Sequence, residues 1–245
     1  MKIAIVICGQ PRFFEGPTYE SYKKYLLDKY ECNIYAHFWF TDDPTAKFIT
    51  APWSGLGTLT FPADTLDRFS KLYSPKKLAY DPPLEYTVPD DIIDSRLPRQ
   101  YIVDFITHHI IPSKYKSLKN AYSLIDNIDS YDFIVYTRSD NVIIRMPDLD
   151  TLDPTMLHII STGKDPNLYI CDFFICPPNL SHYLFNEIDI LDILETKGTL
   201  FNSEELFTAM IHYYNLSTYI RSMPIEVFNL GLQRANGEVS ICKAE

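Results

Sequence analysis

The first forty residues carry two apolar runs with an amphipathic stretch between them. Lys2–Cys8 is apolar at every position after its lysine, which predicts a buried strand. Gly9-Gln10-Pro11-Arg12 follows as a tight loop. From Gly16 to Asp28 the spacing predicts a helix with Tyr19, Tyr22, Tyr25 and Leu26 on one face. Cys32 to Phe40 is again mostly apolar and predicts a second strand. A strand–loop–helix–strand opening implies a parallel pair joined by a right-handed crossover.

The pattern from Thr41 to Pro98 is irregular and rich in proline, with its longest loop from Thr41 to Leu66. Within it Thr65 to Tyr73 predicts a short helix, and Lys77 to Tyr80 an edge strand. Arg99–Ile111 and Ser113–Ile128 predict two helices broken at Pro112. In the second, Tyr115, Leu118, Tyr122 and Ile125 recur at helical spacing, with Lys114, Lys116 and Lys119 among them. Leu157–Ser161 and Tyr169–Cys176 predict strands, and Asn179–Leu194 and Ser203–Tyr214 predict helices. Ser203 is a suitable N-cap, with Glu204 and Glu205 in the first turn where the helix dipole favours them. Thr218–Met223 and Ile225–Leu230 are late strand candidates. The alternation predicts one α/β domain over residues 1–245, with a single continuous, mixed and mostly parallel sheet flanked by helices.

One segment departs from what packing requires. Phe133–Tyr136 reads as a buried strand, yet it ends in Thr137-Arg138-Ser139-Asp140-Asn141 before apolar residues resume at Val142–Ile144. In open α/β sheets ligands bind at the C-terminal strand ends. An Arg and an Asp held there suit a diphosphate and a divalent cation. A nucleotide-sugar donor carries that diphosphate, and its leaving group gains negative charge as the glycosidic bond breaks. Mg²⁺ or Mn²⁺ on Asp140 would stabilise that charge, with Arg138 neutralising phosphate or orienting Asp140. The structural alternative is a buried ion pair.

Other positions join this one. Gly9 permits close backbone approach, and Arg12 offers a planar fork for phosphate or a base edge. The loop is not GxGxxG, which disfavours a dinucleotide site. His37 ends the second strand on the same sheet edge. Asp172 lies inside an apolar strand and must be paired, liganding or shifted in pKa; a general base facing an acceptor hydroxyl is one role. Glu204 or Glu205 is a carboxylate candidate on the acceptor side, although first-turn helix charges need no function.

Composition narrows the class. A hydrophobic content of 46% supports a sizeable core without staples. A net charge of −10 argues against a nucleic-acid or anionic-membrane binder. The five cysteines are an odd number with no CxxC pair, which reads as free thiols in a reducing compartment. No signal peptide is apparent, and no apolar run reaches the roughly 18 residues of a membrane span. These features place the expected location in a cytoplasm, the host's if the protein is viral.

The order of these motifs resembles a family of small GT-A-like glycosyltransferases found in bacterial surface-polysaccharide gene sets and in large DNA viruses. Ile5-Val-Ile-Cys-Gly9-Gln10-Pro11-Arg12-Phe13 is similar to the family's opening "sGQpR", and Asn33-Ile-Tyr-Ala-His37-Phe-Trp39 to its "DvfiHtW". Tyr115-Lys-Ser-Leu-Lys119-Asn-Ala121 looks like its "ySi.kA" helix, and Tyr131–Asp140 like "yDlviRtRfD". The Asp172 strand and the Ser203-Glu204 helix start follow in the same order. The first Arg of "RtR" is Tyr136 here, the Pro of "PE" is Ser203, and Arg138 stands where a strict Asp-x-Asp has its first Asp.

The resemblance implies a GT-A-like fold and a UDP- or GDP-sugar donor held by Gly9, Gln10, Arg12, His37, Lys119 and Arg138. It implies metal on Asp140, and Asp172 or Glu204 as base or acceptor-side carboxylate. Residues 1–145 would bind mainly the donor and 146–245 mainly a glycan acceptor. Two rivals are a nucleotidyltransferase on a related fold, for which the single positive charge of the first loop is too few, and a non-catalytic carbohydrate-binding protein.

Overall fold

The apolar run at the N-terminus becomes β1 (Lys2–Gly9), and its side chains explain why the run is unbroken. Ala4, Val6 and Cys8 pack on one side of the sheet and Ile3, Ile5 and Ile7 on the other, because successive strand residues point to opposite faces and both faces are covered. The structure, a computed structural model, describes residues 1–50, 58–83, 110–161, 169–199, 202–224, 227–233 and 238–241.

Among the described residues, β1 is joined in a seven-stranded sheet by β2 (Glu31–Trp39), β5 (Lys77–Asp81), β6 (Phe133–Arg138), β8 (Leu157–Ser161), β9 (Tyr169–Cys176) and β10 (Ile220–Met223). The order is β10-β8-β9-β6-β1-β2-β5. The β1–β2, β1–β6, β2–β5 and β10–β8 pairs are parallel, and only β9 runs against its neighbours β6 and β8. The expected mixed, mostly parallel sheet is therefore present, with β5 at one edge as its exposed pattern suggested.

Helices cover both faces. On one side α3 (Ile110–Ser123) lays Ile111, Tyr115, Leu118 and Ala121 on the sheet, with α4 (Pro178–Phe185), α5 (Leu191–Thr196) and α6 (Ser203–Tyr213) beside it. On the other, α1 (Pro17–Tyr22) continues into a π-turn, Lys23–Leu27, and buries Tyr22 and Leu26; α2 (Thr65–Tyr73) buries Leu66, Phe69 and Tyr73. Tyr19 and Tyr25 pack partly against the same core, so the predicted helix face is the one that docks.

Several expectations are corrected. The sheet is not one continuous body. β7 (Asn141–Arg145) leaves β6 after a two-residue turn and pairs with β11 (Asn229–Gln233), which also pairs with β12 (Val239–Ile241), in a separate three-stranded sheet. The place beside β6 goes to β9. Within the stretch expected to be irregular, β3 (Phe48–Ile49) and β4 (Thr58–Leu59) pair as a short ribbon.

Pro112 does not break a helix. It lies inside α3, which runs on through it to Ser123. That helix ends at Ser123 rather than Ile128, and the expected helix over 99–109 lies outside the described residues. The N-cap of α6 is Asn202, not Ser203: its extended backbone turns the side-chain oxygen onto the Glu205 N–H at 2.9 Å. The segment expected as one helix from Asn179 is interrupted at Asn186 by a 3₁₀ turn, Glu187–Ile190. The strand expected over Ile225–Leu230 falls instead at Asn229–Gln233, after a turn in which the Pro224 carbonyl accepts from the N–H groups of Val227 and Phe228. Thr218 and Tyr219 belong to a 3₁₀ turn ahead of β10.

Cys8, Cys32, Cys171 and Cys176 are free thiols, and Cys242 lies outside the described residues. No described helix is long and apolar enough to cross a membrane.

Candidate functional site

The parallel register aligns Cys8 with Arg138, so the loops that follow β1 and β6 leave the sheet side by side. They are laced together. The Ser139 hydroxyl donates to the Gln10 carbonyl at 2.6 Å and accepts the Arg12 N–H at 3.3 Å. Gly9 makes the exit from β1 at φ 105°, a left-handed conformation that favours glycine.

Asp140, 3% exposed, sits where these loops meet. Arg138 grips it in a bidentate fork, Nε to Oδ1 at 2.9 Å and Nη2 to Oδ2 at 2.8 Å. Arg12 donates Nε to the same Oδ2 at 2.9 Å. The remaining arm of Arg138 reaches Asp172 Oδ2 at 2.8 Å, and Lys114 of α3 donates to Asp172 Oδ1 at 2.9 Å. Because β9 runs antiparallel beside β6, its first half returns Asp172 to the end where β6 delivers Arg138. The result is a linked chain, Arg12–Asp140–Arg138–Asp172–Lys114, with three cations against two carboxylates.

The electrostatics follow from that linkage. Burial acts to raise both carboxyl pKa values, but Arg138 and Arg12 overcome it at Asp140, and Arg138 and Lys114 overcome it at Asp172; both end below the ordinary carboxylate range. Burial acts to lower Lys114, and the neighbouring Asp172 and Cys171 push it up instead. Glu204, partly buried at the start of α6, goes the other way. Burial and then the negative charge of Asp172 raise it, against the nearby Lys114 and Arg138.

Arg12, Arg138, Asp140 and Asp172, all candidates from the sequence, are linked directly, and Glu204 lies within reach of the charges of Asp172, Lys114 and Arg138. Gly9 and Gln10 belong to the same corner, and Gln10 Oε1 accepts from Arg12 at 3.0 Å. His37 and Lys119 are not in the cluster. His37 is buried with both ring nitrogens engaged, Nδ1 with Ser117 Oγ at 3.0 Å and Nε2 with Asp81 Oδ2 at 3.0 Å. Burial, more than any charge, lowers its pKa. It joins β2, β5 and α3, since Ser117 also accepts the Gly9 N–H at 3.1 Å. Lys119 forms an exposed ion pair with Asp189.

The lysine that does enter the site, Lys114, was not singled out. Its signal was position: it lies four residues before Leu118, on the face of α3 that meets the sheet. Asn141 also belongs here, donating to the Asp172 carbonyl at 2.8 Å and to Thr137 Oγ1 at 3.2 Å. A small cleft, partly open to solvent, adjoins this corner; Asn141, Asp172 and Asn229 line it with Ile160, Ile170 and Leu230.

This donor set does not fit a divalent cation. All four carboxylate oxygens of Asp140 and Asp172 are taken by guanidinium or ammonium groups. An ion on Asp140 would lie against two arginines. Among the described residues no three of His, Cys, Asp and Glu form a metal-holding group.

No protein-family model and no curated protein matches the chain. Among solved structures, the crystal structure of the glycosyltransferase GlyE in Streptococcus pneumoniae TIGR4 is similar over 91% of this chain and 45% of that one, at a TM-score of 0.45 and 13% sequence identity. The chain spans less than half the length of that protein.

Proposed function

We propose that the chain is a GT-A-like glycosyltransferase that moves a sugar from a nucleotide-diphosphate sugar, UDP- or GDP-linked, to a glycan hydroxyl. The observation that carries this reading is the cation-rich chain Arg12–Asp140–Arg138–Asp172–Lys114 at the C-terminal edge of the parallel strands. Arginine forks are suited to phosphate oxygens. Here they are preorganised by carboxylates and removed from water, where fixed charges stabilise a developing anion most effectively.

In this reading the bond from the anomeric carbon to the diphosphate oxygen breaks and its electron pair leaves with the diphosphate. Arg12, Arg138 and Lys114 hold that charge. The acceptor oxygen bonds to the anomeric carbon and gives up its proton. Asp172 is a weak base, because two cations hold its pKa low. Glu204, with its raised pKa, is the better proton acceptor. The cleft beside Asn141 and Asn229 would lie on the acceptor side, within residues 146–245 and the strand that precedes them. The expected Mn²⁺ or Mg²⁺ has no step here, because the chain's own cations occupy the carboxylates meant to hold it.

The test is a thermal-shift panel of UDP-, GDP-, TDP- and CMP-sugars, with and without Mn²⁺, on wild type and Arg12→Ala. A ligand at about 100 times its Kd adds about 2.7 kcal/mol of stability. Stabilisation by one nucleotide class, independent of Mn²⁺ and lost in Arg12→Ala, is expected. A panel with no shift would overturn the donor assignment and favour a non-catalytic carbohydrate-binding protein.

A further inference from the structure

Trp39 ends β2 at the corner where β1 ends in Gly9; Gly9 is in register with Phe38. The indole is 6% exposed, and its Nε1–H is buried with no hydrogen-bond partner among the described residues. An unmatched buried donor is costly, and a phenyl ring would fill the same space without it. The heavy atom closest to where a Cβ on Gly9 would stand is that same indole nitrogen, 3.9 Å away. The φ of 105° at Gly9 disfavours any side chain there. An N–H donor therefore lies beside the one loop residue that presents only backbone.

The corner is also tied to its neighbours by hydrogen bonds. The Asp81 carbonyl accepts the Phe40 N–H at 2.8 Å, while the Asp81 side chain holds His37 and Asn120. A donor on such a support keeps its direction.

Strand order assigns this corner its place along a ligand. β2 lies on one side of β1, and β6 and then β9 lie on the other. On the function proposed above, on which this inference rests, the reacting sugar lies toward Glu204 and Asp172 and the diphosphate lies over Arg12 and Arg138. The remaining end of the donor, its nucleoside, then extends over Gly9 toward β2. We propose that Trp39 is a donor-specificity residue whose Nε1–H donates to an oxygen of the nucleoside, a base carbonyl or a ribose hydroxyl.

The protein has two tryptophans, Trp39 and Trp53. Trp53→Phe leaves Trp39 as the sole indole reporter. This variant is titrated with UDP, GDP, TDP and CMP and with UDP- and GDP-sugars, while calorimetry measures binding independently. The expected result is a saturable change in Trp39 emission with the free nucleotide of the class that binds, and at least tenfold weaker binding in a folded Trp39→Phe variant. Should Trp39→Phe fail to fold, the emission titration, which keeps Trp39, decides alone. Calorimetric binding with unchanged Trp39 emission, or with unchanged affinity in Trp39→Phe, overturns the inference and leaves the transferase reading intact. A change seen only with sugar-bearing compounds overturns it too, by placing Trp39 at the sugar end. No calorimetric binding of any nucleotide removes the transferase reading itself, and this inference with it.

Discussion

Two groups of acids withdrawn from water, the Asp140–Asp172 pair and Glu187, behave oppositely. Asp140 and Asp172 are linked to three cations, and every carboxylate oxygen has a partner. Glu187, in the turn between α4 and α5, is 1% exposed and, among the described residues, forms no ion pair; only the Tyr115 hydroxyl lies beside it. Burial raises its pKa from 4.5 to about 8, with Lys114 and the Tyr115 hydroxyl opposing only in part. Desolvation acts on all three acids; the partners decide the sign. The linked pair reads as a built site and the lone acid as a liability of the fold.

The sharpest way to break this contrast is to remove the cation shared by both aspartates. Arg138→Ala leaves the buried Asp140 and the half-buried Asp172 each short of a partner. It should cost about 3–5 kcal/mol of stability, read as a lower melting temperature, and should abolish transfer.

A pH series separates the two regions next. The folded pKa of Glu187 is raised, so the folded state keeps a proton that the unfolded state releases between about 4.5 and 8. Its contribution to stability is full below 4.5 and is lost as pH rises to about 8. Asp140 and Asp172 are lowered, so their contribution is present above the ordinary aspartate value of 3.8 and is lost in acid. Melting temperature should therefore fall from pH 5 to pH 8 in wild type, and Glu187→Gln should flatten that slope. An unchanged slope in the variant would show that Glu187 is not its source.

Within the site, Glu204→Gln sharpens the assignment of the base. It should reduce turnover by about 10²–10⁴ while nucleotide binding persists. Asp172→Asn should instead weaken nucleotide binding, because it loosens Arg138 and Lys114. The smallest effect is expected at the helix start: Asn202→Ala removes the cap of α6 and should cost about 1 kcal/mol, with Ser203→Ala near neutral.

Much of the framework was legible because it is written in local pattern. β1, β2, β6, β8 and β9 are runs of apolar residues, and α2 spans the residues its spacing predicted. Arg138 and Asp140 stood out because a buried strand has no packing use for them. Three features escaped for a common reason, since each depends on partners distant in sequence. The pairing of β7 with β11 joins residues about ninety positions apart, and nothing at Val142–Ile144 distinguishes that sheet from the main one. The choice of Lys114 over Lys119 is set by how α3 docks, because both lie on one helix and only the docking decides which meets Asp172. Its strand-end position puts His37 at the ligand edge, yet its ring turns inward because Ser117 and Asp81 come to it from α3 and β5. The cap at Asn202 was a local matter, where two adjacent residues suit the role and backbone conformation chooses.

The reversed direction of β9 has a consequence for how the molecule is made. Arg12 meets Asp140 across 128 residues of chain, and Arg138 meets Asp172 across 34 more. A polypeptide emerging from the ribosome with β1, β2 and β6 already exposed still lacks the strand that closes the far side of its charged centre. Contacts of such sequence separation form slowly. Until β9 inserts, the third arm of Arg138 has no carboxylate to hold it, so the charged corner matures only after more than two thirds of the chain has been made.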